Sequence, residues 1–182
     1  MSKLDFYPKL SPREMVEAGA FGGCYFGLVI EEYTDYNYQE LFDYHFDGLD
    51  TSLYLGETYK PKLNRHKIRS GMSYEYWKEM KWMHEDDPYG WFEWYCKYSM
   101  GRRHPDDDRQ IRRWQDFCGH NGRWRKRIYG RIKETNNRDV SPRIQQSLLH
   151  WGYEINDNDY EEYNQLKLIS YDDTTTIDRM GL

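Results

Sequence analysis

Apolar positions recur at helical spacing through the second half of this chain. In DPYGWFEWYCKYSMG, Trp91, Trp94, Tyr95 and Tyr98 fall at i, i+3, i+4 and i+7, with Phe92, Cys96 and Ser99 alongside. Glu93 and Lys97, four apart, pair on the far side. The pattern predicts a helix that is core on most of its circumference, opened by Asp87-Pro88 and ended by Gly101. Ile111, Trp114 and Cys118 give the next stripe, opened by Asp106, Asp107 and Asp108 and closed by Gly119. Trp124, Ile128 and Ile132 give a third, over roughly 122–135. At about 100° per residue, Arg123, Lys126, Arg127, Gly130 and Lys133 gather on its opposite face. Ser141-Pro142 starts a last helix, which ends with Leu148, Leu149 and Trp151 before Gly152.

The signals are shorter toward the N-terminus. Ser11-Pro12-Arg13-Glu14 reads as a capping box ahead of a short helix, halted by Gly19, Gly22 and Gly23. Ser73 caps a helix over Tyr74 to Met83, and Gln39 to Phe46 reads as another. Cys24–Ile30, Ser52–Leu55 and Leu166–Tyr171 read as strands. Together these predict an α+β class, predominantly α-helical. Five or six short helices would surround an aromatic-rich core, with a small sheet from the 24–60 region. One domain is expected over 1–160, followed by an acidic C-terminal extension over 161–182 with loose final residues.

Composition first argues against a packed core and then for one. Mean hydropathy is -1.09, and Leu, Ile, Val and Phe supply only 32 of 182 residues. Against that, net charge is only -5, and 18 Tyr and 7 Trp raise the aromatic share to 18%. Tyrosine and tryptophan bury large apolar bodies while keeping a polar tip, so they build a core that hydropathy undervalues. No apolar run is long enough to span a bilayer, and MSKLDFYPKL lacks the apolar stretch of a signal peptide. Cys24, Cys96 and Cys118 are odd in number and widely spaced, which predicts free thiols and a cytoplasmic setting without a membrane.

Three blocks carry a resemblance: LSPREMVEAGAFGGCYF (Leu10–Phe26), DPYGWFEWYCKYSMGRRHPDDDRQIRRW (Asp87–Trp114) and SPRIQQSLLHWGYE (Ser141–Glu154). Over these, about a third of its length, the chain resembles a family of uncharacterised proteins of bacteria and fungi of similar length. The resemblance implies a single-domain unit and carries over no catalytic residue.

Charge is unevenly spread, and that supplies the functional lead. Residues 1–60 balance at -7, residues 102–133 at +7 and residues 153–182 at -6. Nine of the eleven cations between 102 and 133 are arginine, whose planar fork suits phosphate. The expected function is non-enzymatic binding of a phosphate-bearing ligand, nucleic acid ahead of free nucleotide. Arg102, Arg103, Arg109, Arg113, Arg123, Lys126, Arg127 and Gly130 are the candidate binding residues. Gly130 would allow a close backbone approach, and Trp114, Trp124 or Tyr129 would stack on a base. The structural alternative pairs these arginines with the acidic segments of the same chain.

Two further classes remain open. A metal-dependent enzyme acting on nucleic acid or nucleotides would use carboxylates beside arginines, with His84, Asp86 and Asp87 as ingredients. A protein–protein adaptor would use the acidic flanks to dock a basic partner. His104 with Asp106, Asp107 and Asp108 has donors suited to Mg²⁺, but three consecutive helical residues splay through about 200° and cannot all face one ion. Cys96, His104, Cys118 and His120 lack the close spacing of a zinc site. Cys24 is the thiol placed most like a nucleophile. No GxSxG, P-loop or HExxH occurs. No metal ligand, cofactor or catalytic residue is therefore assigned.

Overall fold

The computed structural model describes residues 5–27 and 37–166. The chain orders its helices as α1 (Pro12–Glu17), α2 (Gln39–Phe46), α3 (Tyr74–Glu79), α4 (Trp91–Ser99), α5 (Asp107–Cys118), α6 (Arg123–Thr135) and α7 (Pro142–Leu149), with 3-10 turns at Thr51–Leu53 and Pro61–Leu63. Residues 157–166 are also helical. Helix accounts for 51% of the described residues, and no strand occurs among them. The fold is all-α, which corrects the expected α+β class.

The missing sheet has a local cause. Phe26 N–H donates to Tyr54 O at 2.9 Å and Gly56 N–H to Gly23 O at 2.8 Å, so the segments around 25 and 55 do lie side by side. No ladder grows from these bonds. Cys24–Gly27 are wound in turns, and Asp50, accepting from Ser52 N–H at 2.9 Å, caps residues 51–53 into a 3-10 turn. Residues 28–30 and 167–171 of the other expected strands lie outside the described residues, and Leu166 is helical. The expected looseness of the final residues also lies outside them.

Side-chain capping starts two of the helices as the sequence indicates, whereas Asp106 and Ser141 precede α5 and α7 without a capping bond. Ser11 and Glu14 form both halves of the capping box of α1. Ser73 accepts from Tyr76 N–H at the start of α3, and Gly119 closes α5. Asp87-Pro88 does not open α4: the helix begins at Trp91 after Gly90, and the Asp87 carboxylate is turned inward.

Helix α4 is the core. It packs on α1 and α2, while α6 packs on α5 and α7. Trp91, Phe92, Trp94, Tyr95 and Cys96 are all buried, and so is Glu93 on the supposed far side. Phe6 sits edge-on to Trp94, Tyr98 and Trp114 at centroid distances of 5.2–5.4 Å. Phe92 meets Phe21 at 4.4 Å and Tyr25 at 4.9 Å. Buried amides stitch the loops to this core. Asn64 accepts from Gly22 N–H at 2.7 Å and donates to Ile68 O at 2.7 Å. Gln146 donates to Gly19 O and Ala20 O and accepts from His66 N–H. Among the described residues no helix is long and apolar enough to cross a membrane.

Candidate functional site

The eight candidate residues divide into two regions with different fates. In the first, the arginines serve the fold. Arg102 grips Asp87 with two parallel bonds, Nη1–Oδ1 2.8 Å and Nη2–Oδ2 2.6 Å, and the Asp87 side chain has no exposed surface. Lys97 reaches the same carboxylate at 3.1 Å and Glu93 at 2.6 Å. Burial raises the Glu93 carboxyl above its ordinary range, and Lys97 opposes that rise. Arg103 is exposed, donates to Tyr98 O at 3.0 Å and lies 4.0 Å over the Tyr98 ring.

Arg109 forks onto Asp106, Nε–Oδ1 2.5 Å and Nη2–Oδ2 2.7 Å. Burial would raise Asp106, but Arg109 and Gln110 outweigh it and hold the carboxyl low. Arg113 donates to Trp82 O at 3.0 Å and Gln110 Oε1 at 2.8 Å, with the Trp151 ring 5.5 Å away. Burial, followed by the Arg109 charge, lowers Arg113 to about 10. Arg102, Arg109 and Arg113 hold the α3–α4 and α4–α5 connections against the core.

The second region is the first half of α6. Arg123, Lys126 and Arg127 stand at i, i+3 and i+4, all exposed. No carboxylate among the described residues lies within ion-pair distance of any of them. The Arg123 and Arg127 guanidinium groups lie 6.0 and 5.7 Å from the Trp124 ring centre. A cleft of about 670 Å³ opens here between α6 and the 157–166 helix, lined by His120, Trp124, Lys126, Arg127, Tyr163 and Leu166 among others. Gly130 is not open to a ligand backbone. A Cβ there would sit 3.3 Å from the Tyr163 hydroxyl, so the chain itself makes the close approach.

Arg125 is the residue missed by counting faces. Its guanidinium lies 3.2 Å from Asp159 and 3.4 Å from Glu162, over the Tyr153 ring at 5.2 Å. It pins the acidic 157–166 helix along α6 and so builds one wall of the cleft. The i, i+3 spacing of Asp159 and Glu162 was the signal that one cation would face both. Of the proposed stacking residues, Trp114 and Tyr129 are buried. Trp124 is half-buried against Phe117 at 5.8 Å, and its Nε1 has no partner among the described residues.

A third cluster joins parts of the chain that the sequence left separate. His84, Asp86 and His104 each place a donor atom within 4.8 Å of the others. His104 therefore turns Nε2 toward the Asp86 carboxylate, while its Nδ1 accepts from the Asp106 backbone N–H. Cys96 and Cys118 are buried on α4 and α5, and no metal-ligand grouping among the described residues includes them. Burial pushes the Cys24 thiol up, opposite to what a nucleophile needs. No family model, curated protein or solved structure matched the chain.

Proposed function

We propose that this chain binds a phosphate-bearing ligand, nucleic acid in the first place, in the cleft between α6 and the 157–166 helix. One observation carries the reading: Arg123, Lys126 and Arg127 form a cationic turn that no carboxylate of the described residues neutralises. Their neighbour Arg125, on the same turn, pairs with Asp159 and Glu162, so the local sequence separates a structural cation from three that a phosphate would satisfy. Arg102, Arg109 and Arg113 leave the binding set, because each is tied to a carboxylate, amide or carbonyl of the fold, and Arg103 because it folds back on the end of α4. The reading is one of phosphate grip with little base stacking, since Trp124 already carries cations at its ring. Three free, buried thiols suit a reducing, cytoplasmic setting.

Fluorescence anisotropy with labelled single-stranded DNA, duplex DNA and RNA, titrated across salt, tests this. Affinity should fall linearly with salt on logarithmic axes. The combined Arg123→Ala, Lys126→Ala, Arg127→Ala variant should lower that slope by about 2 on a single strand, three lost contacts at about 0.7 each. Arg103→Ala should leave it unchanged. A triple variant that binds all three probes like the parent chain would refute the reading.

A further inference from the structure

We propose that His84, Asp86 and His104 form a binding site for a divalent first-row transition ion of the zinc type. His84 and Asp86 lie in the α3–α4 connection and His104 in the α4–α5 connection. Asp86 Oδ2 is 3.0 Å from His104 Nε2 and 3.3 Å from His84 Nδ1. Two donors on one tetrahedral ion, with bonds of about 2.1 Å, stand about 3.4 Å apart, so two of the three donor–donor edges already have the required length. The histidine rings meet edge to face at 4.9 Å, and rotation of the side chains closes the third edge.

The hydrogen-bond pattern leaves donor atoms turned toward one another. Asp86 N–H donates to His84 Nδ1 at 3.2 Å, so that nitrogen carries a lone pair. The same nitrogen lies 3.3 Å from Asp86 Oδ2, so both donor atoms border the space an ion would fill. Asp106 N–H donates to His104 Nδ1 at 3.2 Å, which leaves the His104 proton on Nε2, toward Asp86. Metal binding displaces that proton to Nδ1 and gives up two long bonds to nearby backbone N–H groups.

The scaffold beneath is stiff. Asp87, next to Asp86, is clamped by Arg102, two residues before His104, and His104 N–H donates to Asp107 Oδ2 at 3.0 Å. All three donors keep some exposure, 32% for His84, 19% for His104 and 50% for Asp86, so the ion has a path in. Imidazole and carboxylate donors without thiolate suit zinc or iron(II), and three protein ligands leave at least one position for water or an anion.

Titration of the full, chelator-stripped chain with zinc chloride, followed by histidine side-chain NMR, tests the site. The chain has six histidines. Saturable 1:1 binding should perturb the His84 and His104 imidazoles and leave the other four in place. His84→Ala, Asp86→Asn and His104→Ala should each weaken binding at least about tenfold, and His120→Ala should not. The proposal is overturned by shifts spread over all the histidines, by unchanged affinity in the His84→Ala, His104→Ala double variant, or by no saturable binding up to about 1 mM zinc. The wild-type NMR arm needs no variant to fold.

Discussion

Asp87 has no exposed side-chain surface, yet it accepts from Arg102 twice and lies 3.1 Å from Lys97. A buried charge is stable only while its partners stay, so Asp87→Asn should cost about 3 kcal/mol or more in urea denaturation. Arg103→Ala, which removes an exposed side chain, should cost under about 0.5 kcal/mol in the same measurement. Equal costs for the two would mean that the Asp87 clamp does not hold the connections. His150 poses the opposite case, a basic group held neutral. Part of the residue reaches solvent, but Nε2 is buried without a partner among the described residues and the ring stacks on Phe21 at 5.4 Å. Burial pulls its pKa from 6.5 to about 4. The unfolded chain then binds the proton first, so this contribution is full above 6.5 and is lost as pH falls toward 4, by up to about 3 kcal/mol. His150→Phe keeps a ring against Phe21 and cannot titrate. Its melting temperature should fall less steeply than the parent's between pH 6.5 and 4, and matching profiles would remove His150 as the cause.

Among elements, the helices whose signals are self-contained were the legible ones. Ser11 and Glu14 sit within one turn, and Gly119 acts at the last residue of α5, so each end is decided by neighbours along the chain. The strands were misread because CYFG and SLYL are β-prone in composition, while Asp50 and the glycines around them impose turns. Gly19 shows how tightly these turns are built. It holds φ +72°, and a Cβ there would lie 2.2 Å from Leu63 O. Gly19→Ala should therefore destabilise by more than about 2 kcal/mol, combining backbone strain with a clash against main chain. A melting temperature within a degree or two of the parent's would show that the 19–23 and 51–65 segments are free to part.

For the whole molecule, the charge asymmetry was readable but its meaning was not. A +7 segment between acidic flanks predicts cations in excess. The structural alternative holds at Arg125, which pairs with Asp159 and Glu162, while Arg123, Lys126 and Arg127 line a cleft without an ion pair among the described residues. The sequence by itself determined the helices α1 to α7 though not the one over 157–166, the Ser11 and Ser73 caps, an aromatic core centred on Trp91–Tyr98, and the position of the basic turn. These follow from spacings of one to four residues, where backbone geometry alone sets which side chains meet. Only the tertiary structure decided which arginines are spent on the fold, that the Gly130 gap is filled by Tyr163, and that His84 and Asp86 stand beside His104. Those outcomes depend on which faces dock across some 15 to 40 intervening residues. Many such pairings suit one pattern of charge and hydrophobicity, and packing of the buried core selects among them.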